Sequence, residues 1–319
     1  MTENPFFYTN DNKRYHTLHY HILSVFHKRV FKAVIDAGFT CPNLDGTKGT
    51  GGCTYCRNGS GAFTHGAEKS VEEQIGAELA RIRSKRKDAD VIAYFQSHTN
   101  TYAPPEVLRA LFEKALSQKG VCGLSIATRA DALEPATLDY LAQLAKRTYL
   151  TVELGLQSIH DDTAERINRG HTLEEFLAAY RALKERGIRV CVHIINGLPG
   201  ETPGMMLETA ELLASINVDA VKIHLLQIME DTVLARQYQA GEIVPLSKEE
   251  YLDIVCRQLA VLPPKTVIER ITGDGEHGKL IAPRWGVDKI SVLGAIDQTL
   301  ASRDIWQGKD YQPDKEKTP

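Results

Sequence analysis

The chain has 319 residues, 43% of them hydrophobic, and its 38 Lys and Arg against 41 Asp and Glu give a formal charge of −3. This length fits one large domain or two of ordinary size, and the balance of charge excludes a strongly basic nucleic-acid-binding composition while allowing a local basic face. No apolar run approaches the roughly 18 residues of a membrane span, and six cysteines without a signal sequence indicate reduced thiols in a cytoplasmic protein.

Residues 1–29 are expected to form an N-terminal extension packed on a main domain. This segment is polar and rich in His, Tyr and Asn, and its charge gives way to an apolar run in HKRVFK (27–32). The main domain is expected to span residues 30–300. The tail, 301–319, is polar and charged, so we expect it to be loosely attached or disordered.

From residue 30 onward, short apolar segments rich in β-branched residues alternate with longer segments of helical period. Six segments have the composition of strands: VFKAVID (30–36), VIAYFQ (91–96), VCGLSIAT (121–128), TYLTVELGLQ (148–157), IRVCVHII (188–195) and DAVKIHLLQI (219–228). TVIERIT (266–272) is a candidate for a seventh strand. Three capping boxes predict helix starts: Ser70 with Glu73, Thr172 with Glu175, and Ser247 with Glu250.

The alternation predicts a parallel sheet, which either closes toward a barrel or lies open and doubly wound. Periodicity does not separate these two folds. The glycine-rich loop after the first strand does not read GxGxxG and does not lead straight into a helix, which disfavours a dinucleotide-binding sheet. We therefore predict an α/β fold with a partial (β/α)6 barrel.

Three cysteines follow the first predicted strand in CPNLDGTKGTGGCTYC (41–56). Cys41, Cys53 and Cys56 have the spacing C-x11-C-x2-C, in the position of an active-site loop of a β/α barrel. Structural zinc sites and ordinary iron–sulfur clusters have four protein ligands, and no fourth ligand is obvious here. Three ligands on a four-iron cluster leave one iron open to a reacting cofactor. The remaining cysteines lie in apolar strands or a helix and are interpreted as core residues: Cys122, Cys191 and Cys256.

The glycines of this loop are expected to allow positive φ and a close approach of backbone to an inorganic cluster: Gly46, Gly49, Gly51 and Gly52. Two other interpretations stay open. One is a flexible surface loop with incidental cysteines. The other is a zinc site of three cysteines completed by His65 or another residue.

The chain resembles the radical S-adenosylmethionine (SAM) enzymes, and within them the YhcC/YtqA-like (MnmL-like) group related to the Elongator catalytic subunit. The resemblance covers about residues 14–300 and includes the eleven-residue gap between the first two cysteines, which departs from most of the superfamily. It also depends on five further segments: FQSHTNTYAP (95–104), TRAD (128–131), VELGLQS (152–158), NRGHT (168–172) and HIINGLPGET (193–202).

This resemblance implies a [4Fe–4S] cluster on Cys41, Cys53 and Cys56, with the aromatic Tyr55 before the last cysteine. It also implies SAM contacts at the ends of the second, fourth and fifth strands: Gln96, Ser97, Glu153, Gln157, His193 and Leu198. The family's Gly-Gly-Glu motif is absent, so Gln96 and Ser97 are chosen by position. Three of these positions also have a purely structural interpretation. Glu153 could form a buried ion pair with Arg129 or another base, and His193 could be a core histidine with its hydrogen bonds satisfied. GLPG (197–200) could be a simple turn.

The resemblance further implies that an electron from the reduced cluster cleaves SAM to methionine and a 5'-deoxyadenosyl radical, which abstracts hydrogen from the substrate. The implied substrate is tRNA, with conversion of 5-carboxymethylaminomethyluridine to 5-aminomethyluridine at the wobble position. An electron donor such as flavodoxin or ferredoxin is also implied. No residue is assigned to substrate chemistry. Other possibilities are a different substrate, an electron-transfer protein, or a non-catalytic zinc- or cluster-binding RNA module.

Three basic segments are candidates for RNA contact: HKRVFK (27–32), RIRSKRK (81–87) and NRGH (168–171). RIRSKRK is alternatively a solvated helix end stabilised by the helix dipole. The late segment GDGEHGKLIAPRW (273–285) offers four candidates for substrate contact, or is merely a solvated loop: Asp274, His277, Lys279 and Arg284.

Overall fold

The computed structural model describes residues 6, 8–9, 13–57, 67–273 and 278–313. His65, Asp274 and His277, which the sequence offered as site candidates, lie outside these residues. The strands are Val30–Ile35 (β1), Asp90–Phe95 (β2), Val121–Thr128 (β3), Tyr149–Gln157 (β4), Arg189–Asn196 (β5), Ala220–Leu225 (β6), Ile228–Met229 (β7), Val267–Ile271 (β8) and Leu280–Ala282 (β9).

The helices are Leu18–Phe26 (α1), Val71–Arg83 (α2), Pro105–Leu116 (α3), Pro135–Ala145 (α4), Asp161–Arg166 (α5), Leu173–Glu185 (α6), Pro203–Ser215 (α7), Val233–Gln239 (α8), Lys248–Val261 (α9) and Lys289–Ser302 (α10). The three predicted capping boxes start α2, α6 and α9, with the hydroxyl accepting from the backbone three residues on. Within the described part of the chain, no helix is long and apolar enough to cross a membrane.

One sheet contains seven strands in the order β1-β2-β3-β4-β5-β6-β8. The pairs β1–β2, β2–β3, β3–β4 and β6–β8 are parallel, whereas β7 and β9 form a separate antiparallel pair. A doubly wound sheet reverses its strand order at a switch point, and this order contains no reversal. The partial-barrel fold class is therefore confirmed. The candidate strand 266–272 supplies β8 as a seventh strand beside the six predicted.

The chain divides into two compact units. The first comprises Met1–His21, Leu156–Asn168 and Val192–Pro319, and the second comprises Ile22–Gly155 and Arg169–Cys191. In the second unit, Val91 to Phe95 of β2 are all buried, because a parallel strand covered on both faces needs an almost continuous apolar run. The ring of Phe95 lies 5.0 Å from that of Phe112 on α3, which fixes that helix on the sheet.

The end of the chain packs more tightly than the sequence indicated. The buried side chain of Gln307 donates to the carbonyls of Pro263 (2.6 Å) and Thr266 (2.8 Å) and accepts from the backbone of His16 (2.8 Å). The expectation of a loose tail is therefore wrong for its described part, because one amide satisfies three backbone groups of the first unit. The predicted domain boundaries at 30 and 300 stay a prediction.

Candidate functional site

The cysteine loop, residues 36–57, follows β1 in the second unit and is fixed by its own backbone. The Leu44 amide donates to the Cys41 carbonyl (2.8 Å), and the Cys56 amide donates to the Cys53 carbonyl (2.9 Å). The Gly52 amide adds a bond of 2.8 Å across the loop to Asn43. These turns set the spacing of the cysteines, so the loop lacks the character of a flexible segment with incidental thiols.

Glycine is required in this loop for two different reasons. Gly46, Gly51 and Gly52 have φ of +91°, +79° and +71°, as the sequence predicted. Gly49 has no positive φ, and its role is a close approach instead: a Cβ there would lie 2.3 Å from the Asn43 side-chain oxygen. The loop is thus wrapped tightly around Asn43, which is buried.

The thiols of Cys53 and Cys56 lie in an environment that disfavours their charged form unless further positive charge is present. Burial raises the pKa of Cys53, against the charge of Arg129 and hydrogen bonds from Tyr55 and Asn43. The Asn43 amide nitrogen lies 3.8 Å from the Cys53 sulfur. Burial, with the charges of Cys53 and Cys41, raises the pKa of Cys56 to about 12. A bound metal centre would supply the missing positive charge.

Tyr55 belongs to the same group. It shares a hydrogen bond with Cys53, and burial holds its pKa well above the ordinary tyrosine value. No three His, Cys, Asp or Glu side chains in the described part of the chain converge on a single-ion position. A cluster of several irons does not need such convergence, because each thiolate binds a different iron. The thiol chemistry therefore fits a cluster, whereas zinc completion by His65 lies outside the described residues.

A buried arginine supplies positive charge next to the thiols. Arg129 forms a bidentate pair with Asp131 (2.9 and 2.9 Å) and donates to the Arg169 carbonyl (2.8 Å). Burial lowers the Arg129 pKa, but Asp131 outweighs that effect and the pKa is raised. Arg129 therefore stays charged, and it pairs with Asp131 rather than with Glu153.

The loop after α5 packs against the cysteine loop through a glycine. Gly170 has φ of +79°, and a Cβ there would lie 2.9 Å from the Asn43 side-chain oxygen and 3.4 Å from an Arg129 nitrogen. Sequence reasoning did not single out Asn43 or Gly170 as site residues. The quoted segments TRAD and NRGHT were the available signal, since both contribute to this contact.

The segment after β2 lies beside the cysteine loop, because the Thr99 amide donates to the Thr40 carbonyl (3.2 Å). It contains two buried side chains with polar atoms that have no hydrogen-bond partner within the described residues, Ser97 Oγ and Asn100 Oδ1. Thr54 Oγ1 in the cysteine loop is a third. Each such buried atom costs about 1–3 kcal/mol unless a ligand or water satisfies it. Gln96 directly precedes Ser97 in the chain, and its backbone amide donates to the Ile35 carbonyl (3.2 Å).

Glu153 lies in a different environment, among the strands. Its buried carboxylate binds Lys32 Nζ (2.7 Å), the Tyr94 hydroxyl (2.8 Å) and the Ser125 hydroxyl (2.5 Å). Of the two interpretations, the structure shows the buried ion pair, with Lys32 in place of the suggested Arg129. A contact between Glu153 and a cofactor stays a prediction.

Three further candidates belong to the first unit. Gln157 ends β4 with φ of +62°, the His193 ring lies 5.2 Å from that of His224, and Leu198 is buried. The turn 197–200 is shaped by Arg166, which donates to the Pro199 carbonyl (2.7 Å). A Cβ on Gly200 would lie 1.5 Å from the Arg166 guanidinium, so this turn is a packed structural element whatever else it contacts.

The remaining candidates are two basic residues of the late segment 273–285 and the three cysteines outside the cysteine loop. Lys279 and Arg284 also lie in the first unit, where the Lys279 carbonyl accepts from the Glu230 amide (2.9 Å). Cys191 and Cys256 are buried and Cys122 is partly buried on β3, as expected of core cysteines.

Comparisons with known proteins point to one family. The family model described as "Radical SAM superfamily" matches residues 46–213, and the "Radical_SAM C-terminal domain" model matches residues 218–302. YtqA of Bacillus subtilis is 48% identical over 313 residues, covering 98% of this chain and 97% of YtqA.

Two further relatives are more distant. A tRNA uridine(34) acetyltransferase of Methanocaldococcus jannaschii is 31% identical over 135 residues, covering 41% of this chain and 25% of that enzyme. The structure of Methanocaldococcus infernus Elp3 with an N-terminal deletion has a TM-score of 0.69 at 19% identity, covering 87% of this chain and 64% of that one. This second likeness shows the fold.

Proposed function

The chain belongs to the radical SAM superfamily, and we propose that it modifies the C5 side chain of the tRNA wobble uridine, converting 5-carboxymethylaminomethyluridine to 5-aminomethyluridine. The two-carbon carboxymethyl group would leave as glyoxylate by hydrolysis of an imine, with SAM as the net two-electron oxidant. Its cofactors are those of the superfamily, a [4Fe–4S] cluster and SAM. When bound, the reduced cluster supplies the electron that splits SAM into methionine and the 5'-deoxyadenosyl radical that takes hydrogen from the substrate.

Cys41, Cys53 and Cys56 would hold the cluster, and three thiolates leave one iron open for SAM. The observation that carries this assignment is the cysteine loop itself, whose turns and glycines fix the backbone at the three cysteines, with buried Asn43 next to Cys53. Asn43 and Tyr55 hold Cys53 by hydrogen bonds. Arg129, locked by Asp131, adds a positive charge that favours the thiolate form.

The buried oxygens of Ser97 and Asn100 are the groups best prepared to bind the polar amino-acid end of SAM. Ser97 can both donate and accept, whereas Asn100 Oδ1 accepts and so suits an ammonium group. Gln96, Glu153, Gln157, His193 and Leu198 remain proposed SAM contacts on their positions in the sequence.

The choice of tRNA as substrate is supported by the relative named tRNA uridine(34) acetyltransferase, whose alignment covers 41% of this chain. The chain spans only a quarter of that enzyme, so the shared part alone carries the comparison. A small electron-transfer protein such as flavodoxin or ferredoxin is the proposed reductant. This chain offers no residue that we assign to chemistry on the uridine.

The reaction class is tested by anaerobic reconstitution with iron and sulfide, reduction with dithionite in the presence of SAM, and chromatography for 5'-deoxyadenosine. The protein is expected to form 5'-deoxyadenosine, and Cys41→Ala is expected to form none. Cys122→Ala is the matched control, because Cys122 is also partly buried but lies on β3. A colourless protein that binds zinc instead of iron would refute the class.

The substrate is tested with tRNA that carries 5-carboxymethylaminomethyluridine at the wobble position, followed by nuclease digestion and mass spectrometry. The expected product is 5-aminomethyluridine, formed only with SAM and reductant. An otherwise identical tRNA with unmodified uridine should be unchanged. Formation of 5'-deoxyadenosine with neither tRNA altered would retain the class and refute the substrate.

A further inference from the structure

Two basic segments that are distant in sequence line one cavity of about 400 Å³ in the second unit. The cavity lies at the start of β1 and the end of α2. We name it the basic cavity, and its lining consists of Phe31, Lys32, Arg81, Ile82, Lys85 and Arg86. The segments 27–32 and 81–87, each a separate candidate for RNA contact, thus meet at a single surface.

Four of the six lining residues carry positive charge: Lys32, Arg81, Lys85 and Arg86. The two segments hold eight of the chain's 38 Lys and Arg and no Asp or Glu, although the whole chain is slightly acidic. Glu78 pairs with Arg81 (2.8 Å), and Asp90 pairs with Lys28 and Arg83. No carboxylate of the described residues forms an ion pair with Lys85 or Arg86, and both are exposed.

A solvated helix end does not account for this arrangement. Arg81 and Arg83 lie in the last turn of α2 and interact favourably with its dipole. Lys85 and Arg86 lie beyond the helix end, and the apolar part of the cavity comes partly from β1. Phe31 on that strand is 37% exposed and lines the cavity, so its ring is accessible to a ligand there.

We infer that the basic cavity binds an unpaired nucleotide of an RNA, with the base against Phe31 and the flanking phosphates on Lys85 and Arg86. Its volume is in the range of small-molecule sites, and an exposed aromatic ring beside exposed cations is the arrangement that holds single-stranded nucleic acid. An acidic peptide would use the charges but has no need of the ring. Lys32 contributes its aliphatic stem, because its ammonium group is engaged by Glu153.

This inference rests on the proposed function for the identity of the RNA, since a tRNA offers unpaired nucleotides. It concerns a second surface rather than the reacting site. The cavity lies at the start of β1 and the cysteine loop follows its end, and the six residues of the strand span about 20 Å. A docked tRNA is long enough to contact both.

The test measures binding of a fluorescent tRNA transcript to the reconstituted full chain at several salt concentrations. Lys85→Ala with Arg86→Ala is expected to reduce the slope of log Kd against log salt by about 1.5, the value for two phosphate contacts. The matched control, Lys119→Ala with Lys146→Ala, removes two exposed cations that also follow helix ends, those of α3 and α4. The control is expected to retain the slope.

The base contact is tested separately with Phe31→Leu, which keeps an apolar side chain but removes the ring. It is expected to weaken tRNA binding about tenfold, as loss of one stacked base does. It should leave binding of a fully paired RNA duplex of equal length unchanged. Val107→Ala on α3 is the control, because Val107 is a similarly exposed apolar residue, at 42%.

Equal losses in the cavity and control variants would overturn the inference, because bulk charge would then explain binding. Unchanged affinity in both cavity variants would overturn it too, as would loss of binding to anionic lipid vesicles with no loss for tRNA. Cavity-dependent binding of a tRNA that is never modified would support this inference while refuting the proposed substrate. Modification of the tRNA, with unchanged tRNA binding by the cavity variants, would support the proposed substrate and overturn this inference.

Discussion

Two polar regions of the second unit differ in how completely their hydrogen bonds are satisfied. Among the strands, the Glu153 carboxylate is held by Lys32, Tyr94 and Ser125. Around the cysteine loop, Ser97 Oγ and Asn100 Oδ1 are buried and have no partner within the described residues. Since burying an unsatisfied polar atom destabilises a fold, the second region has the character of a site that a ligand completes.

The difference separates stability from function. A closed network holds the strands together, so removing one member should lower the free energy of unfolding. The polar atoms around the cysteine loop contribute little to that free energy before a ligand binds. Removing one of them should therefore weaken cofactor binding instead.

The largest effect is expected from Cys53→Ala. Removing one thiolate should abolish cluster loading and 5'-deoxyadenosine formation. The free energy of unfolding of the metal-free protein should change by less than about 1 kcal/mol, because burial keeps its Cys53 thiol neutral and alanine removes only one sulfur atom. Iron content, the visible absorption spectrum and urea unfolding measure the three. A large loss of stability in the metal-free protein would show that the cysteine loop is structural, and the loop would then not differ from the Glu153 network in this respect.

The closed network should respond in the opposite way. Lys32→Met leaves the Glu153 carboxylate buried without its cation and is expected to lower the free energy of unfolding by about 3 kcal/mol. Adding Glu153→Gln to this variant should recover much of the loss, because no buried charge then remains. Urea unfolding of the single and double variants measures this coupling. Equal stability of the wild type and Lys32→Met would contradict the closed network.

Two buried serines give a matched pair. Ser125→Ala removes a hydroxyl engaged by Glu153 and should lower the free energy of unfolding by about 1–2 kcal/mol. Ser97→Ala removes one that has no partner in the described part of the chain, so it should not lower stability, whereas SAM binding should weaken about tenfold. Urea unfolding and calorimetric titration with SAM distinguish them. Reversed effects would mean that the two regions have been assigned the wrong way round.

The smallest effect is expected at Asn43, which donates to Cys53 (3.8 Å). Asn43→Leu removes a hydrogen bond that favours the more negative, reduced cluster, so the reduction potential should fall by about 40 mV, equivalent to about 1 kcal/mol for one electron. Redox titration followed by electron paramagnetic resonance measures it. Asn196→Leu is the control, because Asn196 is also buried but pairs with Gln258 in the first unit. Equal shifts of the reduction potential in Asn43→Leu and Asn196→Leu would contradict a specific role for Asn43.

Much of the local structure could be predicted from the sequence. All six expected strands form, and Ser70, Thr172 and Ser247 cap their helices as their spacing indicated. These features depend on residues within a few positions of one another, such as the hydroxyl and the amide three residues later. The cysteine spacing is equally local, and together with the quoted segments it was enough to identify the superfamily.

The site beyond the cysteines was less predictable. Arg129 or another base was the suggested partner of Glu153. Arg129 instead pairs with Asp131 two residues away, and the other base is Lys32, from a strand 121 residues earlier. Asn43 was not singled out at all, although Gly49 and Gly170 both approach it. An amide inside a loop has no periodic signal, so only the contact itself reveals its role.

The strands, the helix caps, the three thiols and the family follow from the sequence alone, because each is encoded in short-range spacing or a recognisable segment. Three-dimensional packing was needed to show that the strands follow one another across the sheet without reversal, and that Gln307 anchors the described part of the tail. It alone joined segments 27–32 and 81–87 into one cavity. Contacts of this kind depend on how distant elements pack, and periodicity along the chain contains no information about which of them will meet.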